Sequence, residues 1–349
     1  MKAIAMLTAV LGLGAIAAVG QIPMPAGKTT GPGVQAARDS KEPEVLKTCK
    51  VPPQASGRPP GRGPAPAAAP GPREYNVTEI AGVIAAGQRW KEIWEVDGNN
   101  ADGIIASKDG GILIAQNDNS DVVKLDKDGK TSIAYVDTNT GGALAINSKG
   151  ALFIDSRGLN ASIEELAPQR KTLANKYNGD SLDCIGGVLN DLTADSKGGA
   201  YFTMGGVYYS DRQGKVTKYG ENLFTNGIVL SADGKHLFVT NGPAVAEFDV
   251  QKDGSLTNQR EFAKLQGGGD GSAFDAAGRL YVTSNAGVNV IGTDGKNLGL
   301  IPTPRDVLSV VFSGPDRKTL YAVARDNPMN KDWIIAIDMI AQGPKGRGK

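Results

Sequence analysis

Four oxygen-bearing side chains stand in one register of a repeated phrase. Asp270 lies eight residues before the turn glycine Gly278 in DGSAFDAAG. Asn226 stands likewise before Gly234 in NGIVLSADG, Asn190 before Gly198 in NDLTADSKG, and Asp102 before Gly110 in DGIIASKDG. Equal register in a repeat means equal place in the fold. The four side chains therefore start four equivalent strands, and on a shared axis their oxygens meet. Two carboxylates and two amides make a hard-oxygen site. Without a cation the carboxylates repel and one tends to take up a proton. A divalent cation removes that conflict. Calcium accepts six to eight oxygens, amide carbonyls and water included. Magnesium and manganese are alternatives, and zinc is kept with them although the register holds no His or Cys. Four protein ligands leave room for water and substrate, so the ion can act as a Lewis acid. Asp270 or Asp191 then holds the attacking water as general base.

The elements that must position these residues are short strands. From about residue 74, brief β-branched and apolar runs alternate with Asp-Gly and Lys-Gly turns. Inner hairpins are predicted to turn at Gly110, Gly150, Gly198, Gly234, Gly278 and around Arg317, at spacings of 40, 48, 36, 44 and 39 residues. An outer strand and often a second turn follow each. Repeats of this length with four strands each predict an all-β fold, a six-bladed β-propeller. The last unit ends at WIIAIDM without an outermost strand. Either YNVTEIAGVI or KEIWEV, ahead of the first repeat, can supply it and close the ring, which removes the sheet edges. The same register adds Gly142 and Ser309 to the ring, so five of its six positions carry side-chain oxygen.

The remainder of the chain bounds the function. Its 349 residues carry a formal net charge of +1, which gives no reason to expect nucleic acid as a partner. The 47 glycines, roughly twice the usual usage of about 7%, suit many tight turns. A single histidine, His236, follows a turn and reads as a strand-surface residue, which argues against His-based zinc or triad chemistry. Residues 1–20 read as a secretory signal peptide, with an uncleaved anchor as the rival. Residues 21–73 are rich in Pro, Gly and Ala and read as a disordered spacer. Residues 74–341 form the propeller, and 342–349 a basic tail. The expected location is periplasmic or secreted, with no membrane span after cleavage. Cys49 in the spacer and Cys184 in the domain can pair in such a compartment, and the sequence leaves that open.

Several phrases carry a family resemblance: LNDLTADSKGGAYFT, FTNGIVLSADGKHLFVTN, GDGSAFDAAGRLYVTSNAGVNVI and above all LGLIPTPRDVLSVVFSGPDRKTLYAVA. They resemble the gluconolactonase, senescence-marker-protein and luciferin-regenerating-enzyme group. The resemblance covers about residues 95 to 340 and is most specific in the last third. It implies a six-bladed propeller with a divalent ion, usually calcium, and hydrolysis of lactones. It also implies that Asn226 and Asp270 are metal ligands and that Asn190 meets metal or substrate through water. The family's first-blade Glu-Gly-Pro is Asp102-Gly103-Ile104 here, one methylene shorter. Whether Asp102 ligates directly is left open, with Gln116 or Asn117 near enough to help. Asn190, Gln116, Asn117 and Ser309 are the expected substrate-binding residues.

The leading expectation is a monomeric, metal-dependent hydrolase that opens a sugar lactone or related cyclic ester. The alternative is a non-catalytic, metal-containing propeller that binds a ligand or protein partner. A related lyase is weighed third, since such propeller lyases use a channel histidine and the register here has none.

Overall fold

The computed structural model describes residues 41–51 and 71–346. Six four-stranded antiparallel sheets account for nearly all regular structure among them. Their inner strands are Ile104–Ala106, Gly141–Ile146, Leu192–Ala194, Thr225–Leu230, Ser272–Phe274 and Asp306–Ser313, in blades 1 to 6. Each inner strand packs against the inner strand of the next blade, and the sixth packs against the first. The ring is therefore closed, as the repeat predicts.

Closure comes from KEIWEV. Strand Lys91–Asp97 pairs antiparallel with Lys331–Asp338 and becomes the outermost strand of blade 6. The other candidate segment has a different task. Val77, Ile80, Val83, Ile84 and Trp90 are buried in the core shared by blades 5 and 6.

Alternation along the strands explains the packing. Successive side chains point to opposite faces of a sheet, and here each face meets a neighbouring blade. Ile104 joins a cluster with Val311, Val323 and Ile334 of blade 6. The next residue, Ile105, joins one with Leu144, Leu152 and Ile154 of blade 2. Both faces are covered, so the strands read as apolar runs. One such core lies between each pair of adjacent blades.

The inner-hairpin turns adopt the backbone that the repeat anticipates. Gly110, Gly150, Gly198, Gly234 and Gly278 all have positive φ, and in the sixth unit Arg317 takes the same conformation at φ 57°. In three of these turns a single side chain makes a double brace. Asn147, Asp195 and Asp275 each accept two backbone N–H bonds within their own turn.

Part of the segment read as spacer is ordered. Glu42–Leu46 forms a short helix, and Cys49 is disulfide-bonded to Cys184. Lys50 donates from its backbone N to Asp180 and from Nζ to the Asn178 carbonyl. The helix thus docks on the excursion between blades 2 and 3, whose 3₁₀ turn Leu182–Ile185 carries Cys184. Further on, Gly71 and Arg73 bind Asp326 and Asp306 on blade 6. The expected signal peptide, residues 1–20, lies outside the described residues. Among the described residues no helix is long and apolar enough to cross a membrane.

Candidate active site in the propeller channel

The register residues occupy equivalent places. Asp102, Asn190 and Asp270 each stand two residues before an inner strand. Their backbone N–H groups donate to the carbonyls of Ala115, Thr203 and Thr283, each thirteen residues on. In the other three blades the inner strand is longer and bulged. The irregularities fall at Gly141/Leu144, Thr225/Ile228 and Val307/Ser309, around Gly142, Asn226 and Ser309. A bulge re-aims a side chain at the end of a strand.

Close approach explains why Asp102, Asn226 and Asp270 are each followed by glycine. A Cβ on Gly227 would lie 2.1 Å from the Asp270 carbonyl oxygen, and one on Gly271 would lie 2.7 Å from that of Leu308. The blades meet backbone to backbone at the axis. Blade 3 departs from the pattern, with Asp191 in place of glycine. Its carboxylate accepts from Leu192 N (2.8 Å) and from Ile228 N of blade 4 (2.9 Å).

Five of the six ring positions line one cavity of about 10 Å³: Asp102, Gly142, Asn190, Asp270 and Ser309. Asp191 and Arg157 border it as well. That is space for roughly one water. Asn226 is not among its lining residues. Of the two remaining expected residues, Asn117 is buried behind the ring and donates from Nδ2 to Asp102 Oδ2 at 3.2 Å. Gln116 is spent on the loop before blade 1: Nε2 donates to the Asn100 carbonyl, and Oε1 accepts from Asn119.

Sequence reasoning missed Arg157. It follows the second strand of blade 2, Leu152–Ser156, and is 2% exposed. Its Nη1 donates to Asp102 Oδ2 at 2.5 Å and its Nε to Asp155 Oδ2 at 3.0 Å. Nη2 donates to the Asn190 backbone carbonyl, and Nη1 also reaches Asn117 Oδ1 at 3.4 Å. Burial alone would lower its pKa, but Asp155 and Asp102 outweigh burial and push it up, so the guanidinium stays charged. Gly142 makes room for it. A Cβ there would lie 1.8 Å from Arg157 Cζ. The one ring position without oxygen is thus the seat of a cation. A signal existed. Thirteen residues after Gly142 stands Asp155, where the matching blades have Ala115, Thr203 and Thr283. A carboxylate in a neutral buried row requires a positive partner close by.

A second buried pair holds the entry to blade 1. Arg325 Nε donates to Asp332 Oδ1 at 2.6 Å, and Asp332 Oδ2 accepts the backbone N–H groups of Asn100 and Ala101. The loop that ends in Asp102 is thereby tied to blade 6.

The oxygens fit a divalent cation in part. Asn226 Oδ1 is buried and no hydrogen-bond donor reaches it, so it can accept a further partner, a water or a cation. Asn190 and Asp270 add an amide and a carboxylate of the hard type calcium takes. Asp102 is already bonded to Arg157. Among the described residues no group of three or more His, Cys, Asp or Glu could hold a metal, so a site here must draw on the amides.

Comparison with known proteins gives one family. The SMP-30/Gluconolactonase/LRE-like region matches residues 133–325. Regucalcin of Xenopus laevis is 28% identical over 179 residues, 46% of this chain and 58% of that protein. Lactonase drp35 of Staphylococcus epidermidis is 37% identical over 136 residues, 35% of each. The chain therefore spans little more than half, or about a third, of these curated relatives. Among solved structures, a gluconolactonase from Xanthomonas campestris aligns with a TM-score of 0.64 at 21% identity, over 79% of this chain and 99% of that one. A luciferin-regenerating enzyme aligns at 0.61 and 17%, over 74% and 98%. At these identities the structural likeness speaks to the fold.

Proposed function

We propose that this chain, which belongs to the SMP-30/gluconolactonase/LRE-like family, opens a lactone or related cyclic ester at the mouth of its channel. The observation that carries the proposal is the convergence of Asn190, Asp270 and Ser309 on one cavity, in a family that includes gluconolactonases. Asn190, Asn226 and Asp270 are the residues to hold a divalent ion, calcium first. Such an ion supplies a Lewis acid for the ester carbonyl.

The protein's own groups do the rest. The 10 Å³ space admits a water and not a lactone ring, so the ester sits above it and the nucleophile within. Asp270 is the better base for that water. The Asp191 carboxylate is bound by two backbone N–H groups from neighbouring strands and serves to hold blades 3 and 4 in register. Ser309, 4% exposed at the cavity wall, is placed to orient substrate. The Cys49–Cys184 bond supports an oxidising compartment, periplasmic or secreted.

The test is initial rates of hydrolysis of five- and six-membered lactones with calcium, magnesium, manganese or zinc, corrected for spontaneous opening. Asp270→Asn is expected to lower kcat/KM by on the order of 10² to 10⁴. An unchanged rate in that variant would remove Asp270 from the chemistry. The bonding of Asp102 to Arg157 favours a second reading, a non-catalytic ligand-binding propeller. That reading predicts no hydrolysis above background in the parent chain.

A further inference from the structure

The Asp102–Arg157–Asp155 chain of charges is more constrained than a surface ion pair. Arg157 is anchored through all three guanidinium nitrogens: to Asp155 in its own blade, to Asp102 in blade 1 and to the Asn190 carbonyl in blade 3. Asp155 is fixed in turn. It is fully buried, and its Oδ1 accepts the backbone N–H groups of Gly142 (2.9 Å) and Ala143 (2.5 Å). Gly142 leaves the space that the guanidinium fills. Moving Arg157 away would strand two carboxylates, one of them wholly inside the protein, and such uncompensated burial is costly.

We infer that Arg157 is the permanent counter-ion of Asp102 and withdraws that carboxylate from the metal donor set. A divalent ion in this channel is then held by Asn190, Asn226 and Asp270 alone. This rests on the proposal that the channel takes such an ion. The consequence is a weakened site. Calcium affinity follows the number of charged ligands, and here one carboxylate is already committed to a guanidinium. Asp102 and Arg157 act as one device, and Gly142 leaves the space in which the guanidinium meets the carboxylate.

Calorimetric calcium titration of the full chain, stripped of metal by chelator, tests this. In the wild-type background Asp102→Asn should leave Kd within about twofold, while Asp270→Asn should weaken it at least a hundredfold. Arg157→Met should tighten binding tenfold or more, and adding Asp102→Asn to it should remove the gain. Arg157→Met leaves Asp155 uncompensated and its folding is at risk, so the pair Asp155→Asn with Arg157→Met is titrated beside it. A tenfold loss with Asp102→Asn alone makes Asp102 a ligand and overturns the inference. Unchanged affinity in folded variants lacking Arg157 overturns it as well. If the wild type binds no calcium, the three-donor site of the functional proposal fails separately. The inference then stands only if binding appears on removal of Arg157 and depends on Asp102, and it falls if none appears.

Discussion

Gly142 shows what a single position decides. Alanine there places a Cβ 1.8 Å from Arg157 Cζ, and the guanidinium must leave its two carboxylates. Gly142→Ala is expected to destabilise by about 1–3 kcal/mol through overpacking, with further loss from the broken charge chain, read as a lower denaturant midpoint. Asp121 offers a second test. Burial pushes its carboxyl up to about 6, and its Oδ1 has no hydrogen-bond partner. A folded-state pKa above the unfolded value means the folded protein holds the proton more tightly. This residue's contribution to stability is therefore greatest in acid and is lost as pH rises from about 4 to about 6. Asp121→Asn should stabilise the protein at pH 7 and flatten that part of the pH–stability curve, as measured by thermal melting across pH. Asp102, Asn190 and Asp270 were legible as a convergent set because they keep one register with a visible turn glycine, and Asn226 keeps that register without lining the cavity. Arg157 was missed because it follows the far end of a second strand, where the same register holds Asn117, Gly205, Asn241 and Asn285 in other repeats.

At the scale of elements, the inner strands do two jobs. Their apolar alternation builds the cores between blades, and their first residues form the ring. Hairpins were readable because Asp-Gly and Lys-Gly turns state their own backbone conformation. The bulges in blades 2, 4 and 6 were not, since a bulge answers to register against the partner strand rather than to residue type. The closing strand was readable only as one of two candidates. KEIWEV wins because it offers a strand whose Lys91–Asp97 run can pair along Lys331–Asp338, while the earlier segment's Val77, Ile80, Val83 and Ile84 go to the core of blades 5 and 6. A chain begun after residue 98 should lose both contributions and expose the edge of blade 6. It is expected to aggregate, and a monomeric species with a full-length-like melting transition would contradict this role for the strand.

At the scale of the molecule, the ring closes through non-local contacts, and the docked helix adds a long-range covalent tie. The Cys49–Cys184 bond has a sequence separation of 135 residues. Closing so long a loop stabilises by about 5 kcal/mol where chain entropy dominates. Cys49→Ser with Cys184→Ser should lower the melting temperature while leaving the circular dichroism β-rich. A helical or unfolded spectrum would mean that the tie organises the fold itself. The sequence leaves this pairing open because connectivity depends on where the chain passes in space, and nothing in the Pro-rich composition around Cys49 says it returns to the blade 2–3 excursion.

A channel that opens lactones with the help of a divalent ion held by Asn190, Asn226 and Asp270 loses its activity when the ion is removed. The most direct measurement is the initial rate of δ-lactone opening by the full chain near neutral pH. It is followed before chelator treatment, after it, and on return of calcium. The rate should stand well above spontaneous opening, fall with chelator and recover with calcium. A rate that never rises above background with any of the four ions would rule out lactone opening in this channel.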